Sequence, residues 1–254
     1  MEPIGADSPA RETRGGARAH GHAYDALYRA SPFEDRPALY RWVTTLARPA
    51  PGQRLLDIAC GLGGALVAAE ATGAASFGLD LSREALGRAR GRVRTARLCQ
   101  ADGSELPFAD ASFDVVLNLG NLEHFANLTA GLTEMRRVLV PAGRAWVLLP
   151  NLFYSGSIWR AIRGGGGPDH HQPIDRFATH SEWRDLLDVH GLQVVRSWPY
   201  HKGKWWKRML PRNLAWHFLY ETRVGPRRHD IEALAPLGRV RYTMPGTQDS
   251  ASQP

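Results

Sequence analysis

The chain has 254 residues, a formal net charge of +7 and 43% hydrophobic residues, enough apolar material for one large core. No stretch of about 18 apolar residues occurs, which excludes a transmembrane helix from the predicted elements. Because residues 1–22 lack the apolar centre of a signal peptide, and Cys60 and Cys99 fall at predicted core or strand-end positions, we expect a cytoplasmic protein with reduced thiols.

The predicted elements begin with helices and continue as an alternation of strands and helices. Residues 1–21 are rich in Gly, Ala and Arg and are predicted to form a disordered tail. Apolar residues at helical spacing between Tyr24 and Ala47 predict one or two helices, because Pro32 and Pro37 interrupt the pattern. Strands are predicted near 54–59, 75–80, 96–99, 113–118 and 144–149, alternating with helices near 64–72, 82–92 and 129–139.

The regular alternation ends after strand five. Residues 151–180 contain four consecutive glycines and no clear strand, which predicts a mobile, lid-like insertion. A helix begins near Ser181, a plausible cap, and Leu192–Trp198 is predicted as strand six. Residues 214–224 fit a seventh strand but would also fit a helix. Residues 225–254 are rich in Pro, Gly, Ser and Gln and are predicted to form a disordered tail.

The most informative motif is a glycine turn behind the first predicted strand. Asp57 lies near the end of that strand, and Gly61 and Gly63 follow it. Glycine permits turn conformations that other residues avoid and lets a ligand approach the backbone closely. The dinucleotide-binding fingerprint is incomplete, because Leu66 stands where that fingerprint requires Gly or Ala. The turn therefore indicates either a site for a nucleotide-like ligand or a purely structural feature.

Two further acids follow the next two predicted strands. Asp80 ends the second apolar run about 20 residues beyond the turn, where a ribose-binding carboxylate is expected. Asp102 closes the third run. Together with Asp57 these acids would lie along one rim of the sheet, at the edge where open α/β sheets bind ligands. Asp102 could instead cap the next turn, and Asp114 is predicted only to fix the start of strand four.

The order and spacing of six motifs resemble those of class I S-adenosylmethionine-dependent methyltransferases, specifically the small-molecule methyltransferase type 11 group. The motifs are Leu56–Gly63, Gly78–Ser82, Ala101–Phe108, Ser112–Asn118, Leu122–Phe125 and Arg136–Gly143. The resemblance covers roughly residues 53–150, with a looser match at Tyr24–Tyr28. It implies an α/β fold within residues 22–224: a Rossmann-like, seven-stranded, mostly parallel sheet with helices on both faces, an N-terminal helical segment and the lid-like insertion. It also implies S-adenosylmethionine as cofactor.

The resemblance assigns roles to individual residues. Gly61 and Gly63 would let the methionine part of the cofactor lie against the backbone. Asp80 would accept hydrogen bonds from both ribose hydroxyls, and Asp102 would accept one from the adenine amine. Tyr28 would close over the cofactor or merely pack. The complete predicted set of cofactor-binding residues is Tyr28, Asp57, Gly61, Gly63, Asp80, Leu81, Ala101, Asp102, Gly103, Asn118 and Leu119.

The sequence indicates less about the residues that would bind and activate the methyl acceptor. An amine acceptor needs only to be unprotonated, whereas a hydroxyl needs a general base. The predicted catalytic residues are His124, just past strand four, and His171 in the insertion. His124 could instead serve the structure of the following helix, and His171 could be a surface loop residue. No metal ion is expected, because the acids and histidines between 169 and 180 match no fixed ligand spacing.

A basic, aromatic patch near the end of the predicted domain is compatible with several kinds of binding partner. Residues 151–228 contain 13 Lys or Arg and 6 Asp or Glu, and Lys202–Arg212 has five cations and two tryptophans. Such a patch could bind nucleic acid, a membrane surface or an anionic small substrate, or be a solvated helix packed on the sheet. We expect a methyltransferase acting on an oxygen or nitrogen of a small molecule in secondary metabolism, with an anionic substrate as one option. The alternatives are an RNA methyltransferase and a non-catalytic binding module.

Overall fold

The protein is built around a mixed, mostly parallel β-sheet. The computed structural model describes residues 14–30, 35–165, 172, 174–203, 209–227 and 241–242, with only the backbone of 14–20 and 241–242. Its strands are β1 (Arg54–Ile58), β2 (Ala75–Asp80), β3 (Arg97–Gln100), β4 (Phe113–Leu119), β5 (Leu139–Pro150), β6 (Ile174–Asp175), β7 (Leu192–Tyr200), β8 (His217–Val224) and β9 (Arg241–Tyr242).

Seven of these strands form the central sheet, in the order β3-β2-β1-β4-β5-β8-β7. The pairs among β1 to β5 are parallel, and β8 is antiparallel to both β5 and β7. This confirms the predicted seven-stranded, mostly parallel sheet. Residues 217–224 form a strand, so the helical alternative for that segment was wrong.

Helices cover both faces of the sheet, as predicted. They are α1 (Arg14–Ala30), α2 (Pro37–Ala47), α3 (Gly64–Ala69), α4 (Arg83–Arg90), α5 (Leu128–Val138), α6 (Ser155–Ile162) and α7 (His180–Val189). Side chains alternate between faces along a strand, so Leu56 and Val116 pack with α5 and α7, whereas Leu55 and Val115 pack with α2, α3 and α4. None of the described helices is long and apolar enough to cross a membrane.

The predicted N-terminal tail was wrong for residues 14–21, which begin α1. This helix is fixed by tertiary contacts: the Asp25 carboxylate accepts hydrogen bonds from Ser82 Oγ at 2.6 Å and from the backbone N–H of Glu84 at 3.0 Å. The predicted C-terminal tail was wrong at Arg241–Tyr242, which pairs with Ile174–Asp175. The Gly-, Ala- and Arg-rich composition gave no local sign of either contact.

The segment after β5 also differs from the prediction. It contains α6 and β6, and Asn151 forms an isolated bridge with Ala178. The cap of α7 is Thr179 rather than the expected Ser181: its side chain accepts from the backbone N–H of Glu182, whose carboxylate accepts from the backbone N–H of Thr179. A reciprocal capping box fixes the helix start more firmly than a lone serine. The lid role of residues 151–180 stays a prediction.

The strand order places a crevice at one edge of the sheet. Strand β1 pairs with β2 on one side and with β4 on the other. Strands β2 and β3 therefore extend the sheet in one direction from β1, and β4 and β5 extend it in the opposite direction. Ligands of open α/β sheets bind at such a switch point, outside the carboxyl ends of the strands. Asn121, after β4, donates from Nδ2 to the carbonyl oxygen of Ala59, after β1, at 3.1 Å and joins the two loops there.

Candidate active site

A cavity of about 580 Å³ opens at the switch point. This volume falls within the range of about 300–1,000 Å³ that is usual for small-molecule sites. The loops after β1 to β4 form its floor, α1 and the start of α2 cover it, and the connection between β7 and β8 closes one side. It is lined by eight of the predicted cofactor-binding residues: Tyr28, Gly61, Asp80, Leu81, Ala101, Asp102, Gly103 and Leu119.

The glycine turn after β1 is held against the end of β2. The backbone N–H of Gly61 donates to Asp80 Oδ2 at 2.8 Å, and Gly61 has a φ of 52°. A Cβ at Gly61 would lie 2.7 Å from Tyr28 Oη, so only glycine leaves room there. At Gly63 a Cβ would lie 3.0 Å from Val93 Cγ1, so this glycine serves packing against α4 rather than the cavity.

Asp80 is buried and held in position by the backbone. Its Oδ2 accepts from Gly61, and its Oδ1 accepts from the backbone N–H of Ser82 at 2.8 Å. Burial raises the pKa of Asp80 to about 6, although these two N–H groups lower it. The carboxylate therefore predominates at neutral pH. Each oxygen keeps a second lone pair for a ribose hydroxyl, so the geometry fits the predicted role.

Asp57 does not line the cavity. It lies below the floor, where its Cα is in register with Gly78 of β2 and Leu117 of β4. Burial raises the pKa of its carboxyl group to about 8, and the neighbouring Asp80 raises it further. The neutral acid is thus favoured at pH 7, which does not fit direct binding of a cationic group by the predicted carboxylate.

The loop after β3 presents Asp102 and Gly103 to the cavity. Asp102 Oδ1 accepts from the backbone N–H of Ser104 at 2.7 Å, so the acid does fix its own turn, while it also faces the cavity. Any side chain at Gly103 would collide with the Phe125 ring. This glycine therefore packs against Phe125, and its place in the adenine site stays a prediction.

Tyrosines of α1 cover the cofactor end. Tyr24 and Tyr28 both line the cavity, and burial followed by the charge of Asp80 raises the pKa of each hydroxyl. Their position above Gly61 and Asp80 fits closure over a bound cofactor. That closure stays a prediction.

The loop after β4 carries a buried acid–histidine pair. Glu123 and His124 both line the cavity and are 1% and 8% exposed. His124 Nδ1 lies 2.6 Å from the carbonyl oxygen of Ile174 and 3.1 Å from Asp175 Oδ1. A carbonyl oxygen can only accept, so Nδ1 carries the hydrogen that faces Ile174. His124 Nε2 lies 3.7 Å from Glu123 Oε1.

The electrostatics of this pair suit a base. Burial alone would lower the pKa of His124, but Glu123 and Asp175 raise it above its usual range. Burial raises the pKa of Glu123 above its usual range, although His124 opposes this. Sequence reasoning found His124, but it did not select Asp175 as the partner that fixes its ring. Asp175 lies 51 positions further along the chain, and no local pattern joins the two.

Another part of the cavity wall is cationic and aromatic. Arg36, before α2, and Lys202, after β7, both line it together with Trp216. The Arg36 Cζ atom lies 4.9 Å from the centroid of a Trp216 ring, and Lys202 Nζ lies 5.1 Å from a Trp216 ring centroid. Such contacts hold a cation against an aromatic surface. Sequence reasoning had considered the patch containing Lys202, but it missed Arg36 and Trp216.

Several predicted residues lie elsewhere. Asn118 is buried and accepts from the backbone N–H of Leu122 at 2.9 Å through Oδ1; like Gly63, it does not line the cavity. His171 lies outside the described residues, and its catalytic role stays a prediction. His180 contacts Ser197 Oγ at 2.8 Å and lies apart from the His124–Asp175 pair. The described part of the chain contains no group of three or more metal-binding side chains.

Comparisons with known proteins agree with this geometry. The methyltransferase domain family matches residues 56–147. The chain is 33% identical over 162 residues to an uncharacterized methyltransferase of Synechocystis, a match covering 60% of this chain and 73% of that protein. It is 39% identical over 100 residues to demethylmenaquinone methyltransferase of Corynebacterium kroppenstedtii, covering 39% of this chain and only 42% of that enzyme.

A solved structure shares the fold at low identity. The 1,6-didemethyltoxoflavin-N1-methyltransferase of Burkholderia thailandensis, with S-adenosylhomocysteine bound, aligns with a TM-score of 0.58 and 18% identity over 88% of this chain and 94% of that one. Sheet order, glycine turn and acid-lined cavity define a class I S-adenosylmethionine-dependent methyltransferase, and S-adenosylmethionine is its cofactor. The chain belongs to the methyltransferase domain family.

Proposed function

We propose that the protein transfers the methyl group of S-adenosylmethionine to an oxygen or nitrogen of a small molecule. One observation carries this proposal: a single cavity joins the acids at the ends of β2 and β3 to the buried His124. A cofactor held at the acids and an acceptor held at His124 would share one enclosed space. The demethylmenaquinone and didemethyltoxoflavin enzymes are named for small-molecule substrates, which supports the same class of acceptor.

The cofactor end is suited to a nucleoside. We expect Asp80 to bind the ribose hydroxyls, Asp102 the adenine amine, and the backbone at Gly61 and Gly103 to lie against the cofactor. When bound, S-adenosylmethionine supplies an activated methyl group whose carbon–sulfur bond breaks as the new bond to the acceptor forms. The protein then has chiefly to align donor and acceptor, which can lower the barrier by roughly 7–11 kcal/mol.

His124 is the proposed general base for a hydroxyl acceptor. Its Nδ1 lies 2.6 Å from the carbonyl oxygen of Ile174 and 3.1 Å from Asp175 Oδ1, and we expect Nε2 to take the acceptor proton as the new carbon–oxygen bond forms. Asp175 would orient the ring and stabilise the imidazolium. The second predicted catalytic residue, His171, remains a proposal without structural support. We also keep a cytoplasmic location and a role in secondary metabolism as proposals; the free thiols of Cys60 and Cys99 are compatible with the former.

Transfer of a labelled methyl group tests the proposal. Purified protein is incubated with S-adenosylmethionine labelled in its methyl group and, separately, with a small-metabolite extract and total RNA of the native organism. We expect label in the small-molecule fraction. Label found only in RNA would replace the proposal by the nucleic-acid alternative and assign recognition to the basic patch, of which residues 204–208 lie outside the described part of the chain.

A further inference from the structure

Two ionisable side chains that line the cavity have polar atoms without a hydrogen bond to the described part of the protein. Neither carboxyl oxygen of Glu123 has a hydrogen-bonding partner among the described residues, although the side chain is 1% exposed. The buried Nε of Arg36 likewise donates to none of them. Leaving a buried polar group unsatisfied is unfavourable, and more so for a charged group. His124 Nε2 lies 3.7 Å from Glu123 Oε1, too far for a hydrogen bond, so a ligand in the cavity could satisfy both groups.

Arg36 and Glu123 do not satisfy each other. Arg36 lies close enough to influence the titration of Glu123, yet the two side chains form no ion pair within 4.0 Å among the contacts described. Asp35, the acid next to Arg36, is engaged elsewhere, because its Oδ2 pairs with Arg92 at 2.6 Å. Both side chains line the cavity, so a ligand bound there could contact both.

The surroundings define the shape and charge of that ligand. Trp216 offers a flat surface in the same cavity, and Arg36 and Lys202 both lie against its rings. Two cations at one end favour an anionic group, and a planar carboxylate matches the planar guanidinium. The hydrogen-bond acceptor Glu123 in the same cavity favours a donor on the ligand.

We propose that Glu123 and Arg36 are the two polar determinants of the methyl-acceptor site, and that the acceptor is a small planar acid. A hydroxyl or amino group of the acceptor, separate from the one that gives its proton to His124, donates to Glu123, and its carboxylate binds Arg36 with help from Lys202. The inference rests on the proposed function, because it takes the space beside His124 as the acceptor site. It adds the chemical class of the substrate and a selectivity filter formed by residues from three separate segments.

Crossed binding measurements test the two contacts independently. The probes are benzoate, benzamide, and hydroxy- and aminobenzoates, titrated into protein saturated with S-adenosylhomocysteine. We expect the wild-type protein to bind the acids at least tenfold more tightly than benzamide, and a hydroxy- or aminobenzoate more tightly than benzoate. In Arg36→Met the preference for acid over amide should be lost. In Glu123→Gln the affinity advantage of hydroxy- and aminobenzoates over benzoate should fall, while the preference for benzoate over benzamide remains.

Two matched variants control for charge and folding. Arg41→Met removes an exposed cation from α2, the helix that follows Arg36, and Glu105→Gln removes an exposed acid. Neither residue lines the cavity, and both variants should bind like the wild type. Equal binding of acid and amide by the wild-type protein, binding of no acid at millimolar concentration, or unchanged preferences in Arg36→Met would each overturn the inference. Failure of every form to bind S-adenosylmethionine would instead refute the proposed function itself.

Discussion

The two ends of the cavity are built in different ways. The cofactor end comes from three consecutive strand–loop units, so Gly61, Asp80 and Asp102 lie within 42 positions of one another. Their geometry is set by backbone hydrogen bonds such as the one from Gly61 to Asp80. The acceptor end combines Arg36, His124 and residues after position 170, which only the tertiary fold brings together.

This difference indicates how the two ends can change independently. The cofactor end depends on a sheet edge whose parallel register fixes each acid relative to the next. The acceptor end depends on contacts between distant segments, so substitutions there can alter the substrate while the sheet and cofactor contacts remain. We therefore expect changes at the two ends to have separable effects on cofactor affinity and on turnover.

The largest effect is expected at the acceptor end. His124→Ala should lower kcat for a hydroxyl acceptor by about 10²–10⁴, because it removes the general base. The dissociation constant of S-adenosylmethionine should change little. Both values are measured by steady-state kinetics and calorimetry on the same preparation.

A second variant at this end distinguishes a base from a structural residue. Asp175→Asn removes a charge that raises the pKa of His124, so the acidic limb of the pH–rate profile should shift to lower pH. A profile that does not move in Asp175→Asn, together with near-normal kcat in His124→Ala, would show that His124 serves only the structure.

At the cofactor end the expected loss is in affinity. Asp80→Ala should weaken S-adenosylmethionine binding by about 100-fold, because hydrogen bonds to a charged group contribute about 1.5–3 kcal/mol each. Calorimetric titration measures the change, and circular dichroism checks that the variant is folded. Asp80→Asn keeps the size of the side chain, so its affinity for S-adenosylmethionine should lie between those of Asp80→Ala and the wild type. Affinity in Asp80→Ala close to that of the wild type would refute the ribose assignment.

The smallest effect concerns stability rather than binding. The pKa of Asp57 is about 8 in the folded protein, against 3.8 for an ordinary aspartate. The folded state then retains a proton that the unfolded state has lost, so the free energy of unfolding should fall as pH rises from about 4 to about 8. The side chain in Asp57→Asn is neutral at every pH. The decrease in the free energy of unfolding with rising pH should therefore be smaller in this variant than in the wild type by at least about 1 kcal/mol. Urea unfolding of cofactor-free protein at pH 5 and 8.5 measures it.

A matched variant gives the reference for that slope. Glu105→Gln replaces an exposed acid and should unfold with the same pH dependence as the wild type. An unchanged slope in Asp57→Asn would mean that Asp57 is ionised in the folded protein, and would return it to the set of residues able to bind a cationic part of the cofactor.

Much of the fold was predictable because it is encoded locally. The strand boundaries from β1 to β4 agree with the predicted ones to within one or two residues, since each strand is an apolar run ended by a turn or an acid. The contact of Asp114, whose Oδ2 accepts from the backbone N–H of Arg54 at 2.8 Å, fits its predicted role at the start of β4. The first part of α1 and strand β9 were not predictable, because the contacts that fix α1 join residues 57 or more positions apart and β9 pairs with residues 66 or more positions away.

The sequence by itself determined the sheet, the glycine turn and the acids that face the cofactor, because parallel strands of fixed register bring their carboxyl ends to one edge. Tertiary structure decided which of the predicted residues face the cavity. It placed Asp57 and Gly63 in packed surroundings, turned Asn118 toward the following loop, and joined His124 to Asp175. Those outcomes depend on the packing of segments far apart in the chain, and the periodicity of apolar residues carries no information about such packing.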